Sequence, residues 1–322
     1  MGACVLYYHR IFPEEPASDV TLPLLEWEMS YLKKHYQVLS LTELIDYING
    51  KLVLDKPGVA ITFDDGWFDN FVYAWPLLKK YGLKATIFVS TGKIRKEETV
   101  RKTMEDCWNG KANIRDLQRT KSVEKGYLES ISGNLGEFLT WEELRVMQRS
   151  GVFDIQSHGV EHRKVVCSED ITGTAKESEG WSVKSAMPDI KEGMPLYPIK
   201  SALSARTYSP GAMQWETEEE MRGRILGELV QSRDRIASEI GIGPLHFCWP
   251  WGEYNETGIE LAKEAGYKAC YTTKAGTVLP GADPYTVPRV SAGKGKFTFI
   301  KRGLIYSSPA LSRSYNFLTG RK

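Results

Sequence analysis

Three stretches of this 322-residue chain end an apolar run abruptly in residues able to do chemistry. Residues 59–66, VAITFDDG, lead from a strand-like run into two adjacent carboxylates and a glycine. Neighbouring residues at a strand end point in different directions, so one carboxylate can bind a metal while the other stays free to accept a proton. The plain structural alternative is an acidic helix N-terminus, where the helix dipole favours carboxylates. Residues 153–162, FDIQSHGVEH, place His158 and His162 four apart, on one face of a helical turn and within reach of one cation. Residues 247–255, FCWPWGEYN, break into a proline-glycine turn that can aim a backbone N–H at a developing oxyanion, with rings beside it to pack on a sugar. The alternative there is an ordinary strand-to-helix turn with Trp251 in the core.

Two imidazoles and one carboxylate form a three-ligand set that leaves positions open for water and substrate, as catalytic metal sites do. Zn²⁺ suits that set best, and Co²⁺, Ni²⁺ or Fe²⁺ also fit it. Such a metal lowers the pKa of water from about 15.7 to about 7 and polarises a carbonyl, which points to amide or ester hydrolysis.

These residues need a scaffold that brings strand ends together. Apolar runs at 4–8, 58–63, 84–90, 152–156, 245–249, 268–272 and 286–290 alternate with amphipathic stretches, the pattern of a parallel sheet or barrel with helical crossovers. Phe68, Phe71, Trp75 and Leu78 recur at helical spacing, with Gly82 as the terminator. Thr140 with Glu143, and Thr217 with Glu220, have capping-box spacing, and Asn255 caps a further helix. Two segments leave the pattern: about 95–136, charged and helical in character, and about 165–217, rich in Ser, Gly, Pro and Lys. Both are expected as insertions at the rim of one domain spanning 1–322. The second carries Trp181, Tyr197, Arg206, Tyr208 and Trp215, a set suited either to stacking on sugar faces or to a small cluster of its own.

With 42% apolar and 26% charged residues, the chain reads as an ordinary globular protein. Its net charge of +1 gives no general attraction to nucleic acid or anionic membrane. No run approaches the ~20 apolar residues of a membrane span. Five scattered cysteines without CxxC pairing, and a start without a basic n-region, predict a cytoplasmic protein, whether free or at the inner membrane face. A chain trimmed of its leader would read the same.

With the three motifs in this order, the chain resembles the NodB-homology polysaccharide deacetylases of carbohydrate esterase family 4. Residues 62–66, TFDDG, look like that family's first motif and 157–162, SHGVEH, like its second. The resemblance covers most of the barrel but not the two insertions. It implies an α/β fold, a distorted (β/α)7 TIM-like barrel. It also implies Asp64 as general base, Asp65, His158 and His162 as ligands of one divalent metal, and the Trp251 N–H as oxyanion donor, with Pro250 and Tyr254 in the same substrate-facing turn. Many members carry an arginine two residues before that proline, where this chain has Cys248. Arg289, in 288–290, PRV, is the expected substitute, as in the subgroup whose third motif likewise lacks the arginine. No histidine follows His246, so the family's C-terminal acid is missing. His9, in 6–11, LYYHRI, resembles the N-terminal strand end of the same subgroup and is the expected proton donor. His35 and His246 read as structural.

The expected reaction removes acetyl groups from an N-acetylated glycan or glycan precursor. Two rivals remain: a catalytically silent sugar-binding barrel, or a hydrolase of a non-sugar amide or an O-acetyl ester.

Overall fold

The computed structural model describes residues 1–14 and 19–319. Its main sheet contains β1 (Ala3–Tyr8), β2 (Gln37–Leu39), β3 (Gly58–Phe63), β4 (Ala85–Val89), β5 (Phe153–Ser157), β6 (His246–Cys248), β7 (Ala269–Tyr271) and β8 (Val290–Ser291). All pair in parallel, in the order β7-β6-β5-β4-β3-β1-β8. The residues just before β8 curl the sheet round: Val287 bridges Tyr271 on one side, and Val290 pairs with Leu6 on the other. Seven staves make this distorted (β/α)7 barrel; six lie on the expected apolar runs, and the seventh, β8, overlaps the run at 286–290 only at Val290.

β2 was not expected. It lies along only the first half of β3, with Gln37 level with Gly58 and Leu39 with Ala60. Three residues carry too little alternation to stand out as a strand.

Alternation along the staves sorts two apolar layers. Ala3, Val5, Ala60, Phe88, Cys248 and Tyr271 share one cluster, while Cys4, Leu6, Val59, Ile61 and Phe63 join the larger cluster under the surrounding helices. Ala60, Thr62 and Asp64 follow the inner alternation of β3, which puts the last of them at the mouth.

The helices begin and end where their residues allow. Thr140 and Thr217 form capping boxes with Glu143 and Glu220, Asn255 accepts from the Gly258 N–H, and Gly82 ends its helix at φ 63°. One helix departs from expectation: Asn70–Ala74 is a wider π-helical turn before Trp75–Tyr81. Pro76 has no N–H to bond Val72 in an α register, and the wider turn absorbs that loss.

The two irregular segments fold differently from each other. Residues 95–136 hold the short helices Met104–Trp108, Ile114–Asp116 and Val123–Ile131. Residues 165–217 are mostly two-stranded ribbons, with the single short helix Trp181–Ala186. No helix among the described residues is long and apolar enough to cross a membrane.

Candidate metal centre and active site

The carboxyl ends of β1, β3, β5 and β6 deliver His9, the Asp64-Asp65 pair, His158 and the 248–252 turn to one mouth, where open parallel folds hold their ligands. Asp65 leaves the strand with φ 76°, turning its side chain away from that of Asp64. His162 and Trp251 also adopt left-handed backbone, at φ 52° and 65°. Three of the four described non-glycine residues in that region thus belong to this mouth, and such strain persists where surrounding structure enforces it. Gly252, at φ 69°, has no alternative residue, because a Cβ there would run into Thr273.

Asp65 Oδ1 lies 3.4 Å from one ring nitrogen, His158 Nε2, and 3.5 Å from another, His162 Nε2. All three side chains are buried, and their ligand atoms lie within 4.8 Å of one another. Asp65 Oδ2 accepts from Trp67 Nε1 at 2.8 Å, whereas Oδ1 has no hydrogen-bond donor. His158 Nδ1 is bonded to the Cys248 carbonyl at 2.7 Å, which fixes the tautomer with Nε2 free as a ligand. Burial pushes His162 down to about 3, favouring its neutral form, whereas His158, which burial would lower, is raised by Cys248, Asp65 and Asp64 around it. Burial alone would raise Asp65, but the two imidazoles hold it well below the carboxylate range. A free carboxylate oxygen facing two imidazoles fits a divalent cation.

Asp64, His158 and Cys248 also approach one another. That trio suits a cation less well, because burial raises the Cys248 thiol and Asp64 has both oxygens engaged.

Arg289 engages them. Its Nη1 and Nη2 each donate to one Asp64 oxygen at 2.7 Å, Nη1 reaches Thr62 Oγ1 at 3.1 Å, and Nε donates to the Thr272 carbonyl at 3.0 Å. The guanidinium is fully buried and lies over the Tyr7 ring. Burial would raise the Asp64 carboxyl, but Arg289 and the nearby histidines bring it below its ordinary value. The Cys248 sulfur is 4.0 Å from Asp64 Oδ2, and the charge missing from the third motif arrives from the segment leading into β8, beyond β7 from the Cys248 strand.

A sequence profile of the polysaccharide deacetylase family matches residues 51–270, more than half of the chain. The chain belongs to that family. A poly-beta-1,6-N-acetyl-D-glucosamine N-deacetylase from Escherichia coli (strain K12) is 22% identical over 295 residues, covering 90% of this chain and 36% of that protein. This chain therefore spans about a third of the length of that relative. The enzyme of the same name from Staphylococcus aureus (strain MSSA476) is 22% identical over 301 residues, covering 92% and 76%. In fold, the chain is similar to a de-N-acetylase from Aggregatibacter actinomycetemcomitans, with TM-score 0.66, 23% identity, and 94% and 99% covered. It is also similar to IcaB from Ammonifex degensii, with TM-score 0.62, 18% identity, and 95% and 97% covered.

In this member of the polysaccharide deacetylase family, His9 is half-buried at the mouth, edge-on to Tyr7 and near enough to act electrostatically on Asp64, Asp65 and His162. Pro250 is buried in the turn before Trp251. Tyr254 is not brought to the metal centre's rings: it packs on Trp249, with Lys274 over its face. The aromatic residues of 165–217 also divide. Trp181 stacks between Tyr127 and Trp251 beside His162, whereas Tyr197, Arg206, Tyr208 and Trp215 cluster apart from it. A run of ring residues in sequence does not make one platform, because the ribbons carry them in different directions.

Several supporting residues escaped the sequence reading. Trp67 ties Asp65, and the buried Arg10 guanidinium lies 4.3 Å over the Trp67 ring. Arg10 also bridges Asp69 and Glu137, joining the mouth to the end of the 95–136 segment. Glu228 accepts the Val160 and Glu161 N–H groups at 3.1 and 3.2 Å, clamping the loop that presents both histidines. Trp67, immediately after the Asp-Asp-Gly turn, was the one with a sequence signal.

Proposed function

We propose that this chain is a metal-dependent N-deacetylase acting on an N-acetylated glycan or glycan precursor, with Asp65, His158 and His162 holding one divalent cation. Zn²⁺ suits two imidazoles and a carboxylate best. The observation that carries the reading is the division between neighbouring carboxylates: Asp65 turns a free oxygen to two imidazoles, while Asp64 is held by an arginine. When bound, such a cation polarises a carbonyl and lowers the pKa of water.

Asp64 acts as general base, taking a proton from the attacking water as its oxygen closes on the acetyl carbon. Arg289 is a positioning residue that keeps this carboxylate ionised and aimed. The Trp251 backbone N–H donates to the oxyanion of the tetrahedral intermediate. His9 gives a proton to the departing nitrogen, so water and amide become acetate and a free amine. Residues 1–322 act as one deacetylase unit, with 95–136 and 165–217 as insertions that shape its mouth.

The similar proteins named for poly-beta-1,6-N-acetyl-D-glucosamine make β-1,6-linked N-acetylglucosamine oligomers the first substrate to try. Acetate release from such an oligomer is expected to stop with a chelator, return with Zn²⁺ and vanish in Asp64→Asn. Sugar binding without acetate release would instead mark a silent sugar-binding barrel.

A further inference from the structure

The Val123–Ile131 helix brings one polar group into the metal centre that the reaction above does not use. Gly126 is pressed against the Trp67 indole so closely that a Cβ would lie 2.7 Å from it. That approach carries the next residue, Tyr127, to the metal ligands. Its ring stacks on His162 at 5.4 Å and on Trp181 at 3.9 Å, and meets Trp67 edge-on at 4.9 Å. Its hydroxyl is buried against the Asp65 carboxylate, in a loose contact rather than a well-formed hydrogen bond. The placement is braced, because the Trp181 N–H donates to Glu124 Oε1 at 2.8 Å, tying the two irregular segments together.

A buried hydroxyl without a well-made hydrogen bond forfeits part of roughly 1–3 kcal/mol, and one held so beside a reaction centre is free to donate to a group that arrives there. Asp65 is a poor sole partner: Trp67 already supplies one oxygen, and the other faces the imidazoles.

We propose that Tyr127 is a catalytic residue, its phenol O–H donating a hydrogen bond to the amide oxygen as attack turns it into an oxyanion. It is then a second donor, opposite in origin to the Trp251 N–H: one comes from the barrel turn, the other from the 95–136 segment. No proton is transferred, since the phenol only shares its hydrogen while the oxygen is negative. This inference rests on the deacetylase reading.

Tyr127→Phe keeps the ring stack and removes only the donor. With the Zn²⁺-loaded full chain and a β-1,6-linked N-acetylglucosamine trimer, kcat is expected to fall about 10²- to 10³-fold with KM within about twofold, as for other single oxyanion donors. A tetrahedral phosphonamidate analogue of the sugar should lose affinity by a similar factor, while the deacetylated trimer binds as before. Zn²⁺ affinity of the metal-stripped protein should stay within about twofold. Unchanged kcat and analogue affinity would overturn the proposal, as would a loss of Zn²⁺ affinity in step with kcat, which would mean that the hydroxyl acts through Asp65. Wild-type protein that releases no acetate would overturn the deacetylase reading, a result distinct from active wild type unmoved by Tyr127→Phe.

Discussion

The two sides of the barrel mouth meet at the Asp64–Asp65 peptide and are built on opposite plans. On the Asp64 side, every carboxylate oxygen is engaged and the counter-charge is a fully buried arginine from the far end of the chain. On the Asp65 side, one oxygen is tied by an indole N–H and the other is left facing two imidazoles. The residues are chemically identical and adjacent. Their different surroundings are set by what distant segments deliver to each, together with the left-handed turn at Asp65 that separates their directions.

The largest effect should come from removing charge on the base side alone. Asp64→Asn is expected to lower acetate release by at least about 10³-fold. Zn²⁺ affinity by calorimetric titration should change little, and a matching loss of metal would merge the two sides.

Arg289→Met attacks the same side through stability and pH. With its partner, Asp64 has a folded pKa below its unfolded value of about 3.9, so the pair stabilises the fold above that value and is lost as pH falls through the folded one. Without Arg289, burial dominates and the carboxyl rises. Removing one partner of a buried pair costs about 3–5 kcal/mol, readable by urea denaturation at neutral pH. The acid limb of kcat/KM should move to higher pH, and a limb that stays put would deny Arg289 its hold on the base.

On the metal side, Trp67→Phe removes the N–H that occupies Asp65 Oδ2. Metal affinity should fall about 10- to 100-fold, the usual cost of losing a partner of a metal ligand. The rate per metal-loaded molecule should change far less, measured at saturating Zn²⁺. Glu228→Ala is the mildest test. Freeing the Val160 and Glu161 N–H groups should cost about 1–3 kcal/mol in urea denaturation, with a smaller drop in Zn²⁺ affinity. A variant as stable as wild type would show that the histidine loop holds its shape without the clamp.

Much of the scaffold was legible because each stave is a short apolar run ended by a polar residue or a turn, while β2 was too short to signal itself. The clustering of Asp65, His158 and His162 was legible from spacing, since two histidines four apart and an Asp-Asp pair at a strand end are local patterns. The base side was not: nothing within 59–66 points to Arg289, 224 positions beyond Asp65, and only the family resemblance nominated it. Tyr127 was hidden inside a segment read as charged and helical, because its importance lies in a close approach of backbone to Trp67 that no local pattern encodes. Tyr254 erred the other way, having the right residue type in the right turn but a side chain that packs behind it.

The division of labour between the two carboxylates is tested most directly by titrating metal-stripped Asp64→Asn and Asp65→Asn with Zn²⁺ side by side. Asp64→Asn should bind one equivalent with affinity close to wild type, and Asp65→Asn should lose that binding. Equal binding by both variants, or its loss in Asp64→Asn alone, would contradict the assignment.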